Sequence, residues 1–326
     1  MIITQTPFRV SFAGGGTDLP AFYQDEYGAV ISVSIDRHIY VTVHGRFKND
    51  IRVAYSRTET VPTVDDLQHE LVREAMKTTG VTTPVEITTI GDVPAGTGMG
   101  SSSTLTVGVL NALYAYAGKV VSAEQLASEA CAIEIDTLGK PIGRQDQYAA
   151  AYGGLNYIRF NPDHSVDVQP LPVSRDFMDA LDERVLLLYT EQQRDADSIL
   201  KKQSAGTADK RTVLREMRDL AAELKTLVTS SQDLDAFGAI LHQAWELKRS
   251  LGFGISQQRV DEWYTAARKA GAHGGKLLGA GGGGFLLVMA PPETHESIRE
   301  ALGRPKELEF RSSRHGSRIA FVSERH

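Results

Sequence analysis

A stretch rich in glycine and serine, residues 94–103, constrains this chain more than any other. Its sequence is PAGTGMGSSS, with glycines at every second position and three serines after them. Before it, apolar and polar residues alternate from Val85, as in a strand, and after it a segment without proline continues to Gly118, as in a helix. The pattern therefore predicts a strand, a glycine loop and a helix, in that order.

The predicted loop is suited to an anion. Glycines have no Cβ, so the backbone can turn tightly and approach a ligand closely. A helix that begins near Ser101 presents unpaired N–H groups and the positive end of its dipole, which favour a phosphate. We predict that this loop binds the phosphates of a nucleotide and that its serine hydroxyls are oxygen ligands for Mg²⁺. An ordinary helix start with a serine N-cap is the alternative.

Two other nucleotide-binding motifs fit this stretch less well. A Walker A loop needs a lysine, and none lies near Gly100. A dinucleotide-binding loop needs an acidic residue about 20 positions further on, at the end of a second strand. In this chain that region has the sequence GKVVS, residues 118–122, and leads into another helix. A dinucleotide-dependent oxidoreductase is therefore the weaker alternative.

The composition indicates a globular protein with a small-molecule partner. The 326 residues, of which 41% are hydrophobic, are enough for two domains. A net charge of −6 offers no broad attraction for nucleic acid or an acidic membrane. Cys131 is the only cysteine, which excludes an internal disulfide, and we expect it to be buried. Without signal-peptide features or an apolar run of about 18 residues, the chain is expected to be cytoplasmic.

Two further glycine clusters lie towards the ends of the chain. The sequence GGGTD, residues 14–18, follows a predicted strand, and a plain turn with Asp18 as a helix N-cap is one interpretation. Glycines at residues 279–284 precede a wholly apolar strand and predict a flexible hairpin or a second close approach of backbone. Between these clusters, Asp146 opens a predicted helix, whose dipole favours its ionised form.

The predicted elements indicate an α+β fold with two domains. We expect residues 1–180 to form the first domain and residues 181–326 the second, with the boundary at 176–184. The second half is the more helical. The predicted strands include residues 31–35, 39–43, 51–55, 155–160, 185–189 and 285–290, and the predicted helices include residues 65–79, 209–230, 234–251 and 257–270.

The three glycine clusters, in this order, resemble the motifs of the GHMP kinases, a family named for galactokinase, homoserine, mevalonate and phosphomevalonate kinases. The resemblance covers nearly the whole chain, with its motifs at residues 7–18, 94–103 and 276–285. It implies an N-terminal domain like domain 2 of ribosomal protein S5, a ferredoxin-like C-terminal domain, and ATP with Mg²⁺ in the cleft between them. Within the family, the triple glycine and the sequence GRQDQY at 143–148 are similar to heptose 7-phosphate kinases and, further off, to fucose kinases.

The resemblance also implies roles for individual residues. Asp146 would accept or align the proton of the anomeric hydroxyl, and Arg9 would stabilise both Asp146 and the transferred phosphoryl group. Ser102, with Ser101 as a near-equal candidate, and Glu134 would bind Mg²⁺. The nucleotide would contact Pro94, Gly96, Thr97, Gly98, Met99, Gly100, Ser101, Ser102 and Ser103. The sugar would contact Gly14, Gly15, Gly16, Thr17, Asp18, Arg144, Gly282 and Gly283.

The activity implied by the resemblance is phosphorylation of a heptose 7-phosphate at its anomeric hydroxyl, for bacterial surface polysaccharide. Galactokinases have an acidic residue and a histidine in place of Gly15 and Gly16, so we expect free room near the sugar. A phosphorylated substrate needs cations, for which Arg144 or Lys140 is predicted, with solvated loop charges as the alternative. A fucose kinase and a non-catalytic sugar-binding relative are further alternatives. The apolar residues of the later helices would serve either a homodimer or only the core.

Overall fold

Twelve strands form two β-sheets in the part of the chain that the structure describes. This structure, a computed structural model, describes residues 1–192, 196–208, 210–252, 254–255 and 258–323. The strands are β1 (Ile2–Ala13), β2 (Gly28–Gly45), β3 (Ile51–Ala54), β4 (Thr58–Val61), β5 (Val85–Gly91), β6 (Leu155–Phe160), β7 (Val166–Pro170), β8 (Val185–Tyr189), β9 (Gly274–Leu277), β10 (Phe285–Met289), β11 (Glu307–Leu308) and β12 (Arg318–Val322).

The larger sheet has eight strands and the smaller one four. The larger has the order β12-β1-β2-β5-β3-β4, with β6 and β7 attached through β2, and the smaller is β11-β8-β10-β9. The sequence predicted separate strands at 31–35 and 39–43. The structure joins them in β2, because β1 pairs along both halves, while β6 pairs with the first half and β5 with the second.

Helices cover these sheets. The three helices predicted in the second half are found at Arg211–Thr229, Leu234–Ser250 and Gln258–Lys269. The first residues of two of these predictions, Asp209 and Gln257, lie outside the described residues. The predicted helix at 65–79 begins only at Glu70, because Val64–Asp66 forms a 3₁₀ turn. The helices are α1 (Pro20–Tyr23), α2 (Glu70–Thr79), α3 (Ser101–Tyr116), α4 (Ala123–Cys131), α5 (Gln145–Tyr152), α6 (Arg175–Arg184), α7 (Ala196–Ala205), α8 (Arg211–Thr229), α9 (Leu234–Ser250), α10 (Gln258–Lys269) and α11 (His295–Ala301).

The hydrophobic core is continuous across the predicted domain boundary. Phe12 of β1 and Phe237 of α9 meet edge to face, with ring centroids 5.0 Å apart. The domain division at residue 180 stays a prediction. At the end of the chain, β12 of the predicted second domain pairs with β1 of the predicted first domain in the larger sheet. Residues 324–326 of the predicted second domain lie outside the described residues. Among the helices that the structure describes, none is long and apolar enough to cross a membrane.

Candidate active site

A cavity of about 680 Å³ lies along the glycine loop that joins β5 to α3. The three glycines and three serines predicted to hold phosphates all line it: Gly96, Gly98, Gly100, Ser101, Ser102 and Ser103. Gly100, with φ 78°, is the N-cap of α3, and no side chain caps this helix. The serine N-cap alternative is therefore wrong. The N–H groups of the first turn are left for an anion.

The remaining predicted nucleotide contacts turn away from this cavity. Pro94 accepts a hydrogen bond at its carbonyl oxygen from the Thr97 hydroxyl, at 2.9 Å, which closes the loop. The side chains of Thr97 and Met99 are fully buried, and Met99 belongs to the main hydrophobic core. Alternate residues of the loop thus face the cavity and the interior. Pro94, Thr97 and Met99 shape the loop and do not line the nucleotide cavity.

The third glycine cluster packs directly against the glycine loop. A Cβ on Gly98 would lie 2.6 Å from the carbonyl oxygen of Leu278, and one on Gly284 would lie 2.3 Å from that of Thr97. The sequence predicted a close approach of backbone at this cluster, and the structure shows that the cluster approaches the glycine loop. Gly282 and Gly283, which were predicted to touch the sugar, line neither this cavity nor a smaller one on the other side of Asp146. Gly282 donates its N–H to the Ile255 carbonyl oxygen at 2.9 Å.

Asp146 and Arg9 form the centre of the cleft. Arg9 donates from Nε to Oδ1 and from Nη2 to Oδ2 of Asp146, each at 2.8 Å, and from Nη1 to the Gly98 carbonyl oxygen at 2.7 Å. Arg9 is nearly buried, while the Asp146 side chain is 24% exposed. Asp146 lies in the first turn of α5, as predicted. Because both carboxylate oxygens accept from one guanidinium, the orientation of Asp146 is fixed.

Glu134 lies behind the serines of the loop, on a π-helical turn, Ala132–Thr137, that follows α4. It is fully buried and accepts hydrogen bonds from the Ser102 hydroxyl, from the Ser103 hydroxyl at 2.7 Å, and from Gln147 Nε2 at 2.5 Å. Burial raises the pKa of Glu134, while these hydrogen bonds oppose the increase. A carboxylate next to a hydroxyl on the cavity wall offers the oxygen ligands that Mg²⁺ prefers.

A second, smaller cavity of about 70 Å³ lies on the other side of Asp146 and Arg9, which line both. Gly15, Gly16 and Asp18, which were predicted to contact the sugar, line it. Asp18 accepts from the N–H groups of Gly16 at 2.9 Å and Gln145 at 3.4 Å, and burial raises its pKa. Its side chain does not cap α1, whose N-cap is Leu19, so the N-cap interpretation is wrong.

Several predicted acceptor contacts lie elsewhere. A Cβ on Gly14 would lie 1.9 Å from the Ala29 carbonyl oxygen, to which the Thr17 hydroxyl also donates at 3.0 Å, so both residues hold the turn against β2. Arg144 donates to the His164 carbonyl oxygen at 2.8 Å and does not line the cavity. Lys140 lines the nucleotide cavity, where it pairs with Glu70 at 2.6 Å.

The free room expected beside the triple glycine is present only at one position. A Cβ on Gly15 would have no atom closer than 3.8 Å, whereas a Cβ on Gly16 would lie 2.2 Å from Nε2 of Gln203. Gln203 belongs to α7, in the second half of the chain. The expectation was therefore wrong for Gly16, because a side chain that is distant in sequence fills the space.

Two buried lysines of the smaller cavity were missed as site residues. Lys248 of α9 donates to the Gly279 carbonyl oxygen at 2.5 Å, and Lys276 of β9 donates to that of Ser11 at 2.7 Å. Burial lowers the pKa of Lys248 to about 8 and lowers that of Lys276 well below its usual range. A sequence signal existed for Lys248, because it follows Trp245 on the buried side of α9.

The large cavity also has an apolar wall, for which the sequence suggested no residues. Tyr55 and His69 contact each other there with ring centroids 4.6 Å apart, and Ile39, Leu71 and Ile90 complete this wall. Burial lowers the pKa of His69, which favours the neutral ring. Apolar and aromatic side chains at the far end of a phosphate loop are suited to a flat heterocycle such as a nucleotide base.

Sequence comparison identifies the family to which the chain belongs. The model of the GHMP kinases N terminal domain matches residues 67–154, and that of the GHMP kinases C terminal domain matches residues 215–307. Together they cover more than half of the 326 residues. The chain belongs to the GHMP kinase family. The predicted two-domain GHMP kinase fold, of class α+β, is therefore confirmed, and the dinucleotide-dependent alternative does not agree with it.

Individual GHMP kinases are similar over nearly the whole chain. The D-glycero-alpha-D-manno-heptose 7-phosphate kinase of Campylobacter jejuni is 28% identical over 92% of this chain and 93% of its own. The bifunctional fucokinase/GDP-fucose pyrophosphorylase of Arabidopsis thaliana is 25% identical over 94% of this chain and 32% of its own. A solved D-glycero-D-manno-heptose 1-phosphate kinase from Bacteroides thetaiotaomicron has a TM-score of 0.83 at 24% identity, with 99% of this chain and 100% of that one covered. The prediction of an ATP-dependent sugar kinase is confirmed.

Proposed function

We propose that this GHMP kinase transfers the γ-phosphoryl group of ATP to the anomeric hydroxyl of D-glycero-D-manno-heptose 7-phosphate, giving the 1,7-bisphosphate. The observation that carries the proposal is the position of Asp146, which lines both the nucleotide cavity and the smaller acceptor cavity. The named activity of the Campylobacter jejuni relative, which is similar along 92% of this chain, supports the same acceptor.

The proposed reaction uses Asp146 at the boundary of the two cavities. The anomeric oxygen forms a bond to the γ-phosphorus, the bond from that phosphorus to the bridging oxygen of ADP breaks, and the hydroxyl proton passes to the Asp146 carboxylate. Arg9 holds this carboxylate through two hydrogen bonds of 2.8 Å and adds positive charge where the phosphoryl group crosses. The first turn of α3 and the loop amides hold the phosphates in line.

The family implies a divalent metal ion, and the residues present are suited to Mg²⁺. Ser102, with Ser101 beside it on the cavity wall, and the buried Glu134 would supply oxygen ligands. When bound, Mg²⁺ neutralises charge on the phosphate oxygens of the nucleotide. The buried carboxylate of Glu134 already accepts from both Ser102 and Ser103, so these side chains are positioned before any ion binds.

The charge of the acceptor cavity favours a phosphorylated sugar. Three basic side chains line it, Arg9, Lys248 and Lys276, together with the carboxyl groups of Asp18 and Asp146. Burial disfavours the charged form of both lysines, and an anionic ligand nearby would restore it. A neutral sugar would gain nothing from these amines beyond hydrogen bonds. We therefore place the acceptor phosphate near Lys248 and Lys276, and no longer near Arg144 or Lys140.

Release of ADP across a panel of acceptors tests the proposal. The panel contains heptose 7-phosphate, unphosphorylated heptose, mannose, fucose and galactose, each with ATP and Mg²⁺, and phosphorus NMR identifies the phosphorylated position. We expect heptose 7-phosphate to have the highest kcat/KM and a phosphate at its anomeric carbon. Fucose as the best acceptor would instead make the chain a fucose kinase. Sugar binding without ADP release would indicate the non-catalytic relative.

The proposal also includes a pathway, a cell compartment and an assembly. The product would enter the synthesis of nucleotide-activated heptose for bacterial surface polysaccharide, and the enzyme would act in the cytoplasm. A homodimer through the apolar residues of the later helices stays a prediction. Sedimentation of the purified chain would measure the mass of the assembly directly.

A further inference from the structure

Three polar atoms in the acceptor cavity have no hydrogen-bond partner among the described residues. They are the Ser11 hydroxyl, Oε1 of Gln145 and Nε2 of Gln203, and all three residues line this one cavity. Ser11 is 5% exposed and Gln203 2% exposed, so bulk water does not solvate their side chains freely. Buried polar groups without a partner are costly in a folded protein. A cluster of them in one cavity indicates that a ligand completes their hydrogen bonds.

Gln203 is the member of this cluster that sequence patterns do not reveal. It lies on α7, about 190 positions after the triple glycine, and its amide stands directly over Gly16. A Cβ on Gly16 would lie 2.2 Å from Nε2 of Gln203, so a side chain at position 16 and this amide exclude each other. The absence of a side chain at Gly16 therefore lets Gln203 enter the cavity.

We propose that Gln203 is an acceptor-binding residue whose side-chain amide donates a hydrogen bond from Nε2 to a hydroxyl of the sugar. The inference rests on the proposed function, because it requires a polyhydroxylated acceptor in the smaller cavity. Ser11 and Gln145 lie beside Gly15, where an added Cβ would be 4.0 Å from the Ser11 hydroxyl and 3.8 Å from Nε2 of Gln145. The Ser11 hydroxyl and Oε1 of Gln145 supply a donor-acceptor group and an acceptor to further hydroxyls. A sugar is held by several such bonds, whereas a single anion would use only the donors.

The place of Gln203 in the fold supports a ligand-binding role over a purely structural one. Its backbone carbonyl oxygen accepts from the Thr207 hydroxyl at 3.0 Å, which secures the end of α7 without the amide. Ile199 of the same helix contributes its apolar packing, in a cluster of buried side chains that includes Leu186 and Trp245. Nothing described in the fold uses the Nε2 donor of Gln203. Its removal should thus affect the acceptor more than the fold.

Steady-state kinetics of Gln203→Ala test the inference, with Lys202→Ala as the matched control. Lys202 is the preceding residue on α7 and is exposed. For the acceptor that wild type uses best, we expect Gln203→Ala to raise KM by roughly 3- to 10-fold, the usual effect of one lost neutral hydrogen bond. The KM for ATP and the melting temperature should stay unchanged. Lys202→Ala should match wild type throughout.

A panel of singly deoxygenated acceptors identifies the contact. The analogue that lacks the bonded hydroxyl should lose affinity with wild type but lose nothing further with Gln203→Ala, because the same hydrogen bond is removed twice. An unchanged acceptor KM in a stable Gln203→Ala variant would overturn the inference, and so would a lower melting temperature with normal kinetics. If wild type phosphorylates no sugar, the proposed function fails as well. Normal wild-type turnover with an unaffected variant refutes the role of Gln203 alone.

Discussion

The two cavities beside Asp146 are built in different ways. The glycine-loop side of the larger one comes from a single continuous segment, 96–103, that ends in the first turn of α3. The smaller one combines residues of β1, the triple-glycine turn, α5, α7, α9 and β9. A site made by one local turn has a sequence signature, because neighbouring residues must provide its geometry. A site made from six segments has none, because each residue is placed by tertiary packing.

The two carboxylates at the glycine loop, Asp146 and Glu134, differ in their exposure and in their contacts. Asp146 is partly exposed, lines both cavities and is held by Arg9. Glu134 is fully buried and contacts the nucleotide cavity only through the serine hydroxyls that donate to it. One carboxylate is therefore placed to exchange a proton with a ligand. The other holds the serines of the glycine loop, and the proposed function adds a metal ion to its role.

The largest expected effect comes from Asp146→Asn. An asparagine of the same shape cannot accept the proton of the acceptor, and general-base catalysis of this kind contributes about 10²- to 10⁴-fold. We expect kcat to fall by that factor while the KM values for ATP and sugar change little, as measured by coupled ADP release. Asp176→Asn is the control, since Asp176 is an exposed carboxylate in the first turn of α6. Near-normal turnover of Asp146→Asn would remove this residue from the reaction.

The next effect concerns stability and pH at Lys248. In the unfolded chain a lysine titrates near 10.5, and in the fold the pKa of Lys248 is about 8. Between these pH values the unfolded chain holds more protons, so the free energy of unfolding should rise with pH. Below 8 and above 10.5 the contribution of this lysine is flat, because folded and unfolded chains then carry the same charge there.

Urea denaturation of wild type and Lys248→Met across these pH values measures this contribution. From below pH 8 to above pH 10.5, the free energy of unfolding of wild type should rise by on the order of 3 kcal/mol relative to that of Lys248→Met. Lys269→Met provides the control, because Lys269 is an exposed lysine at the end of α10. A difference that stays constant with pH would mean that burial does not disfavour the charged Lys248.

A smaller effect is expected for the metal ion with Glu134→Gln. The amide keeps the size of the side chain but removes the negative charge, and changes at or beside a metal ligand commonly reduce metal affinity about 10- to 100-fold. A titration of activity with Mg²⁺ should show this shift in the concentration required. Asp136→Asn, two positions further on and exposed, should behave as wild type. An unchanged Mg²⁺ requirement would place the ion at other oxygens.

The contrast between the cavities also explains what the sequence could predict. The loop of residues 94–103 follows from glycine spacing and flanking periodicity, which are local properties. The GHMP family and its two-domain fold came from the resemblance of three glycine motifs in a fixed order along the chain. Asp146 was correctly placed in the first turn of a helix because a break in the pattern precedes it. The roles of Asp146, Arg9 and Glu134 came from the family resemblance, and they stay predictions although the three residues meet at the glycine loop.

Acceptor contacts were harder to predict because they depend on distant segments. Arg144 was chosen for its closeness in sequence to Asp146, yet its guanidinium lies over the Tyr23 ring, 5.6 Å from the centroid. Lys248 and Gln203 reach the cavity from helices of the second half. Their positions follow from how α7 and α9 pack on β1 and the glycine turn, and single-sequence patterns do not contain that packing.

Gly96 and Gly98 of the glycine loop share a backbone conformation but differ in their contacts. Gly96 and Gly98 have nearly equal φ values, +77° and +81°, so alanine strains the backbone similarly at both, by about 1 kcal/mol. Their surroundings differ. A Cβ at Gly96 meets no atom within 4 Å, whereas one at Gly98 would lie 2.6 Å from the Leu278 carbonyl oxygen.

Gly98→Ala should therefore destabilise the fold more than Gly96→Ala, by about 1–3 kcal/mol of overpacking in urea denaturation. Each variant is the other's control, since the backbone strain is common to both. Gly98→Ala should also weaken ATP binding, because the loop must move away from residues 278–279 to admit the methyl group. Equal stability of the two variants would mean that residues 278–279 do not pack tightly against the glycine loop at Gly98. The glycine-loop side of the larger cavity would then be shaped by its own segment alone.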